Sequence, residues 1–132
     1  MMTLHTDGGS RGNPGPAAFG FVLAEEGRFL HEDCGYLGVQ TNNVAEYHGL
    51  IEGLKAARDV QPDALRVYMD SRVVLRQMTG EYAVRNEGLA VLYEQAQAVR
   101  REIRCPVEFE EIRRDFNKRA DALVNEALDT HV

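Results

Sequence analysis

The chain has 132 residues, 44% of them hydrophobic, which suffices for one core and leaves no room for tandem catalytic domains. Twenty-one acidic against fifteen basic side chains give a formal charge of −6, a balance that argues against a surface coated in basic groups for nucleic acid. No run approaches the roughly 18 apolar residues of a membrane span, and the start, MMTLHTDGG, lacks a signal-peptide layout. A single cytoplasmic, monomeric domain over residues 1–132 with no membrane partner is therefore expected.

Charged residues, 27% of the total, are scattered rather than blocked, so no disordered tail or linker is indicated. Cys34 and Cys105 show no metal-ligand or C-x-x-C spacing and are expected to be free, packed thiols. Thirteen of the fifteen basic residues are Arg, whose planar fork suits phosphate.

In chain order, Thr3 to Asp7 alternate as a strand and run into the glycine-rich GGSRGNPGP. A second strand follows over Ala18 to Ala24 and a third over Arg28 to Gly38, making an antiparallel meander. From Asn43 the period becomes helical through Tyr47, Leu50, Ile51, Leu54 and Ala57, with Pro62 as the stop. Leu65, Val67 and Met69 mark a fourth strand, which passes directly into a short helix over Ser71 to Met78. A long amphipathic helix spans Asn86 to Ile103, a fifth strand runs from Pro106 to Ile112, and a last helix begins near Asn117. The order βββαβααβα predicts an α/β fold: a five-stranded mixed sheet, three antiparallel strands followed by parallel additions, with helices on both faces.

Chemistry in open α/β sheets gathers beyond the carboxyl ends of parallel strands. Asp7 and Asp70 end two such strands. Glu46 lies in the first turn of the first long helix, at the edge of its apolar stripe, and Asp121 near the start of the last. The glycine-rich stretch does not compete, because it matches neither G-x-x-x-x-G-K-[ST] nor G-x-G-x-x-G and leads into a strand rather than a helix.

Four gathered carboxylates repel one another unless cations sit among them. Ligands that are all oxygen favour Mg²⁺, with Mn²⁺ as substitute, over zinc. Two such ions roughly 3.5–4 Å apart form a clamp for in-line phosphoryl displacement, and they would bring the charge of −6 to −2. A basic rim is expected at the same end from Arg11, Arg72, Arg76, Arg113, Arg114, Lys118 and Arg119. Each acid also has a structural reading: Glu46 in a capping box with Asn43, Asp70 as cap of the Ser71 helix, Asp7 in a turn, and Asp121 beside a positive helix end.

Four segments, Thr6-Asp-Gly-Gly-Ser-Arg-Gly-Asn-Pro-Gly-Pro16, Thr41-Asn-Asn-Val-Ala-Glu46, Met69-Asp-Ser71 and Asn117-Lys-Arg-Ala-Asp-Ala-Leu123, resemble the type 1 ribonuclease H family in order and spacing, end to end. The resemblance implies a ribonuclease H-like fold, a metal-binding quartet of Asp7, Glu46, Asp70 and Asp121, and endonucleolytic cleavage of the RNA strand of RNA–DNA hybrids that leaves 3′-hydroxyl and 5′-phosphate ends. It also implies groove contacts from Asn13, Asn42 and Asn43 and a DNA-phosphate pocket at Thr41. Amides can pair with base edges and 2′-hydroxyls, and a hydroxyl beside a helix start suits a phosphate.

Two departures stand out. Where many members carry a His before the last helix, this chain reads Arg113-Arg-Asp-Phe-Asn117. Arginine cannot serve as a base, so Arg114, or alternatively Arg113, is expected to hold the scissile phosphate or aid product release, with Arg72 as a further substrate contact. The link Gly80-Glu-Tyr-Ala-Val-Arg-Asn86 lacks the basic insertion of several relatives, and no amino-terminal hybrid-binding domain is expected. None of His5, His31, His48 and His131 is expected to be a ligand. The competing readings are a non-catalytic hybrid-binding module, which gains nothing from clustered negative charge, and a nuclease of the same fold acting on DNA junctions.

Overall fold

The computed structural model describes residues 1–131, arranged as β1 (Met2–Ser10), β2 (Gly15–Glu25), β3 (Arg28–Gln40), α1 (Asn42–Val60), β4 (Leu65–Met69), α2 (Arg72–Met78), α3 (Glu87–Glu102), β5 (Val107–Glu111) and α4 (Lys118–Asp129), with a single 3₁₀ turn at Arg114–Phe116. The strands form one sheet in the order β3-β2-β1-β4-β5. β1 and β2, and β2 and β3, pair antiparallel. β1 and β4, and β4 and β5, pair parallel, and the helical crossovers required by parallel pairing supply α1 and α3. The mixed α/β sheet expected from the sequence is thus present.

Alternation along the strands sorts the two faces. Leu4, Phe21, Leu23, Leu65, Val67 and Met69 pack with Tyr47, Leu50 and Leu54 of α1 and Ala96 and Val99 of α3 in the main core. The opposite face holds a smaller cluster, in which Ala18 of β2 meets Val124, Ala127 and Leu128 of α4. α4 lies close because residue 20 is glycine: a Cβ there would sit 2.7 Å from Leu123 Cβ. Cys105 packs against the larger cluster and Cys34 against the smaller; both are free thiols.

The structure differs from the sequence expectations in several particulars. Gly8, Gly9 and Ser10 belong to β1, paired with Phe19, Ala18 and Ala17, so half of the glycine-rich stretch is strand rather than loop. Asp7 is consequently mid-strand and not in a turn. The cap of α1 is Thr41, whose hydroxyl accepts from the Val44 N–H, and the cap of α2 is Ser71. This removes the capping roles considered for Asn43, Glu46 and Asp70. His48 is half-buried rather than on an exposed side, and His131 is not frayed but stacks on Tyr36 with ring centroids 4.3 Å apart.

Candidate active site

The parallel register sets the geometry. Thr6 of β1 pairs with Met69 of β4 at the end of their parallel ladder, so the next residues, Asp7 within β1 and Asp70 just past β4, emerge side by side. Glu46 joins them from α1 because Gly8 lets the helix backbone at Ala45 and Glu46 press directly on β1. The Gly8 N–H donates to Asp7 Oδ1 at 2.9 Å and lies 3.3 Å from Glu46 Oε1. One carboxylate oxygen from each of Asp7, Glu46 and Asp70 falls within a 4.8 Å group. Asp121 stands outside that group but lines the same cavity, of about 500 Å³, together with Ser10, Arg11, Asn42, Asn43, Arg114 and Asn125.

Burial and mutual repulsion raise the proton affinity of these acids. Asp7 is pushed up to about 7, first by desolvation and then by the Asp70 charge, against the opposing hydrogen bonds of Glu46 and Gly8. Glu46, only 6% exposed, is raised well above the carboxylate range by burial and by Asp7. Asp70 is raised by burial, with its hydrogen bond to Asn117 and the Arg114 charge pulling the other way. Glu46 Oε2 is buried and has no hydrogen-bond partner. An orphaned carboxylate oxygen beside two further acids is what a hard divalent cation would satisfy, and the all-oxygen donor set fits such an ion.

The remaining expected site residues divide. Asn42 lines the cavity; its Oδ1 accepts from both the backbone N–H and the hydroxyl of Ser10 at 2.9 Å, which leaves its NH₂ group for the cavity. Asn43 lines the cavity as well. Asn13 and Thr41 lie off it: Asn13 Oδ1 accepts from the Asn42 N–H at 3.1 Å, and the Thr41 hydroxyl is taken up in capping α1. Arg72 lines a neighbouring cavity with Asp70, Arg113 and Arg114, and its Nε donates to Glu111 at 3.2 Å.

The expected basic rim is mostly neutralised. Arg11 pairs with Asp129, Arg72 with Glu111, Arg76 with Glu81, Arg113 with Asp115 and Arg119 with Glu32. Among the described residues Arg114 makes no ion pair, and it borders both cavities. Arg113 instead points at Asp115 and lies over the Phe116 ring, 5.7 Å from its centroid. Sequence reasoning also passed over Asn117, read only as a helix start. Its amide donates to Thr6 O at 2.9 Å and to Asp70 Oδ2 at 3.3 Å.

A β3-β2-β1-β4-β5 mixed sheet with acids gathered from β1, the end of β4 and α1 defines a ribonuclease H-like domain. The chain matches the sequence profile of the family described as reverse transcriptase-like over residues 5–127, and it belongs to that family, within its type 1 ribonuclease H group. It is 43% identical over 130 residues to "Bifunctional protein Rv2228c" of Mycobacterium tuberculosis, covering 97% of this chain and 35% of that protein. It is 41% identical over 127 residues to "Ribonuclease HI" of Halobacterium salinarum, covering 93% of this chain and 62% of that protein. The chain thus spans about a third of the first relative's length and under two thirds of the second's. Among solved structures, LC11-RNase H1 in complex with an RNA/DNA hybrid superposes with a TM-score of 0.93 at 40% identity, covering 99% of both chains. No helix of the described residues is long and apolar enough to cross a membrane.

Proposed function

We propose that this chain is a single catalytic unit that hydrolyses the RNA strand of RNA–DNA hybrids, leaving 3′-hydroxyl and 5′-phosphate ends, with two Mg²⁺ ions held by Asp7, Glu46, Asp70 and Asp121. The observation that carries the reading is the buried acid group: three carboxylates within 4.8 Å, one with an orphaned oxygen, are a costly arrangement unless cations complete it. Bound divalent cations neutralise the phosphate and make water a nucleophile near neutral pH. Mn²⁺ is the expected substitute, because the site offers only oxygen ligands.

The chain's own groups then orient the substrate. Asp7 and Asp70 present adjacent carboxylates from a rigid parallel ladder, and Glu46 closes the group from α1. Arg114, without a carboxylate partner among the described residues, anchors the scissile phosphate or the product; Arg113 is the weaker candidate because Asp115 and Phe116 already engage it. Asn42 turns its NH₂ toward the cavity, where it meets acceptors in the hybrid's minor groove, and Asn43 lies beside it. Asn13, Thr41 and Arg72 contact the strands farther from the chemistry, where Asn13 holds the backbone of Asn42 and the Thr41 hydroxyl keeps its proton for a phosphate. The two free cysteines suit a reducing, cytoplasmic setting, and the protein acts as a monomer.

The test is cleavage of end-labelled RNA–DNA hybrid, double-stranded RNA, double-stranded DNA and single strands, each with Mg²⁺, Mn²⁺ or chelator. Metal-dependent cutting of the hybrid alone is the expected result, lost when the ribonucleotides around a single cleavable site are replaced by deoxyribonucleotides. Equal cleavage of the all-DNA version would favour a junction-type nuclease, and binding without cleavage a hybrid-binding module.

A further inference from the structure

We propose that Asn117 is a positioning residue of the acid site, its buried amide locking the Asp70 carboxylate to the β1 backbone at Thr6 in the orientation that receives metal. The inference rests on the metal-site reading above and goes beyond it, since Asn117 is buried and does not line the cavity.

An Asn immediately before a helix ordinarily caps it, accepting from an early backbone N–H for about 1 kcal/mol. Asn117 occupies that position before α4 and makes no side-chain capping bond. It is instead turned inward, 1% exposed, with its NH₂ bridging Thr6 O at 2.9 Å and Asp70 Oδ2 at 3.3 Å. Thr6 is the last β1 residue in register with β4 and the neighbour of Asp7. The Asn117 carbonyl meanwhile accepts from the Asp121 N–H at 3.1 Å. One residue therefore touches the strand that carries Asp7, the carboxylate of Asp70 and the first turn that carries Asp121.

The arrangement has a cost that a purely structural residue would avoid. Asn117 Oδ1 is buried with no hydrogen-bond partner, and an unsatisfied buried acceptor is unfavourable by about 1–3 kcal/mol. An apolar residue of similar volume would fill the space without that loss, so the donor is what the position needs. Asp70 depends on it, because it lies just past the end of β4, in a bend where no strand ladder fixes its side chain. Held by the amide, the carboxylate has one orientation; released, it samples several, and metal affinity falls accordingly. Partners of metal-ligating groups typically contribute 10–100-fold to affinity.

The experiment is Mg²⁺ titration calorimetry on the whole chain for wild type, Asn117→Ala, Asn117→Ser and Asp70→Asn, with steady-state cleavage of hybrid at several Mg²⁺ concentrations. Both Asn117 variants should bind Mg²⁺ about 10–100-fold more weakly. Their rate should recover as Mg²⁺ is raised, with the KM for hybrid within about twofold of wild type. A packing role would not give this pattern, because excess metal cannot repair a cavity. Mg²⁺ affinity equal to wild type in a folded Asn117→Ala, while Asp70→Asn loses binding, overturns the inference alone. Absence of Mg²⁺ binding by wild type, or unaltered binding by Asp70→Asn, overturns the metal-site reading instead. If neither Asn117 variant folds, the wild-type protein decides by NMR. The Asn117 side-chain NH₂ signals should shift with Mg²⁺ and saturate together with the Gly8 amide, and signals that stay still sink the proposal.

Discussion

The Gly8 N–H reaches Glu46 Oε1 at 3.3 Å across the junction of β1 and α1, and the same glycine leaves the gap that lets the helix backbone approach. A Cβ at residue 8 would collide with the backbone of Ala45 and Glu46, where no side-chain rotation can relieve it. Gly8→Ala should therefore push α1 off the sheet, at about 1–3 kcal/mol. That corresponds to a fall of roughly 4–11 °C in Tm for a domain of this size. Cleavage should drop more than tenfold even well below the new Tm, because Glu46 moves with the helix. Thermal unfolding and a rate at low temperature check both parts.

Asp70→Asn keeps the side chain's shape while removing its charge. The circular dichroism spectrum should match wild type, and the cleavage rate should fall by more than tenfold, a barrier change above about 1.4 kcal/mol. A variant that retains most of the wild-type rate contradicts the role given to Asp70.

In chelator, stability should decline as pH rises from 5 to 8. Asp7 is raised to about 7, and Glu46 and Asp70 are raised as well, so the folded state holds protons that the unfolded chain releases near the ordinary carboxylate value of about 4. The stabilising contribution is fully present below that ordinary value and is lost as pH passes through about 7. Mg²⁺ binds the ionised form and should flatten the decline, with a gain of about 1.4 kcal/mol at ten times its dissociation constant. Melting curves at pH 5, 6, 7 and 8 with chelator or Mg²⁺ decide the matter; a metal-free Tm that climbs with pH would refute it.

Arg113 and Arg114 should differ sharply although they are neighbours. Arg114 borders the acid-lined cavity and has no carboxylate partner among the described residues, whereas Arg113 is engaged by Asp115 and Phe116. Arg114→Ala should cost at least tenfold in kcat and Arg113→Ala less than about threefold, differences of about 1.4 and 0.7 kcal/mol in barrier. The reverse order would move the phosphate contact to Arg113.

Hybrid affinity should fall only gently with salt. Five of the seven rim cations are paired with carboxylates in the free protein, so few are available to neutralise phosphates. Each contact adds about 0.7–0.9 to the slope of log affinity against log salt, and about three to five contacts are expected. A slope steeper than about −7 would reveal a basic binding surface beyond these rim residues.

Much of this protein was open to sequence reasoning because the signals are local. Alternation through Leu65, Val67 and Met69, the helical spacing from Tyr47 to Ala57 and the stop at Pro62 located the elements, and elements of that order permit few sheet topologies. Asp70 follows from the same logic, since a carboxylate ending a parallel strand emerges at the end where sites form, whereas Asp7 lies within β1, beside Asp70 only because the parallel ladder with β4 stops at Thr6. Rotations and long-range partners were decided by tertiary structure alone. Thr41 rather than Asn43 caps α1, and Glu46 turns to the sheet because Gly8 admits the helix there. Arg11 finds Asp129, and Arg119 finds Glu32, across 118 and 87 residues of sequence. Asn117 reads only as a helix start until the fold places Thr6 O and Asp70 beside its amide. Periodicity encodes which face of an element is apolar, but the partner of a polar side chain depends on register and helix rotation, which exist only once the sheet has closed against α1 and α4.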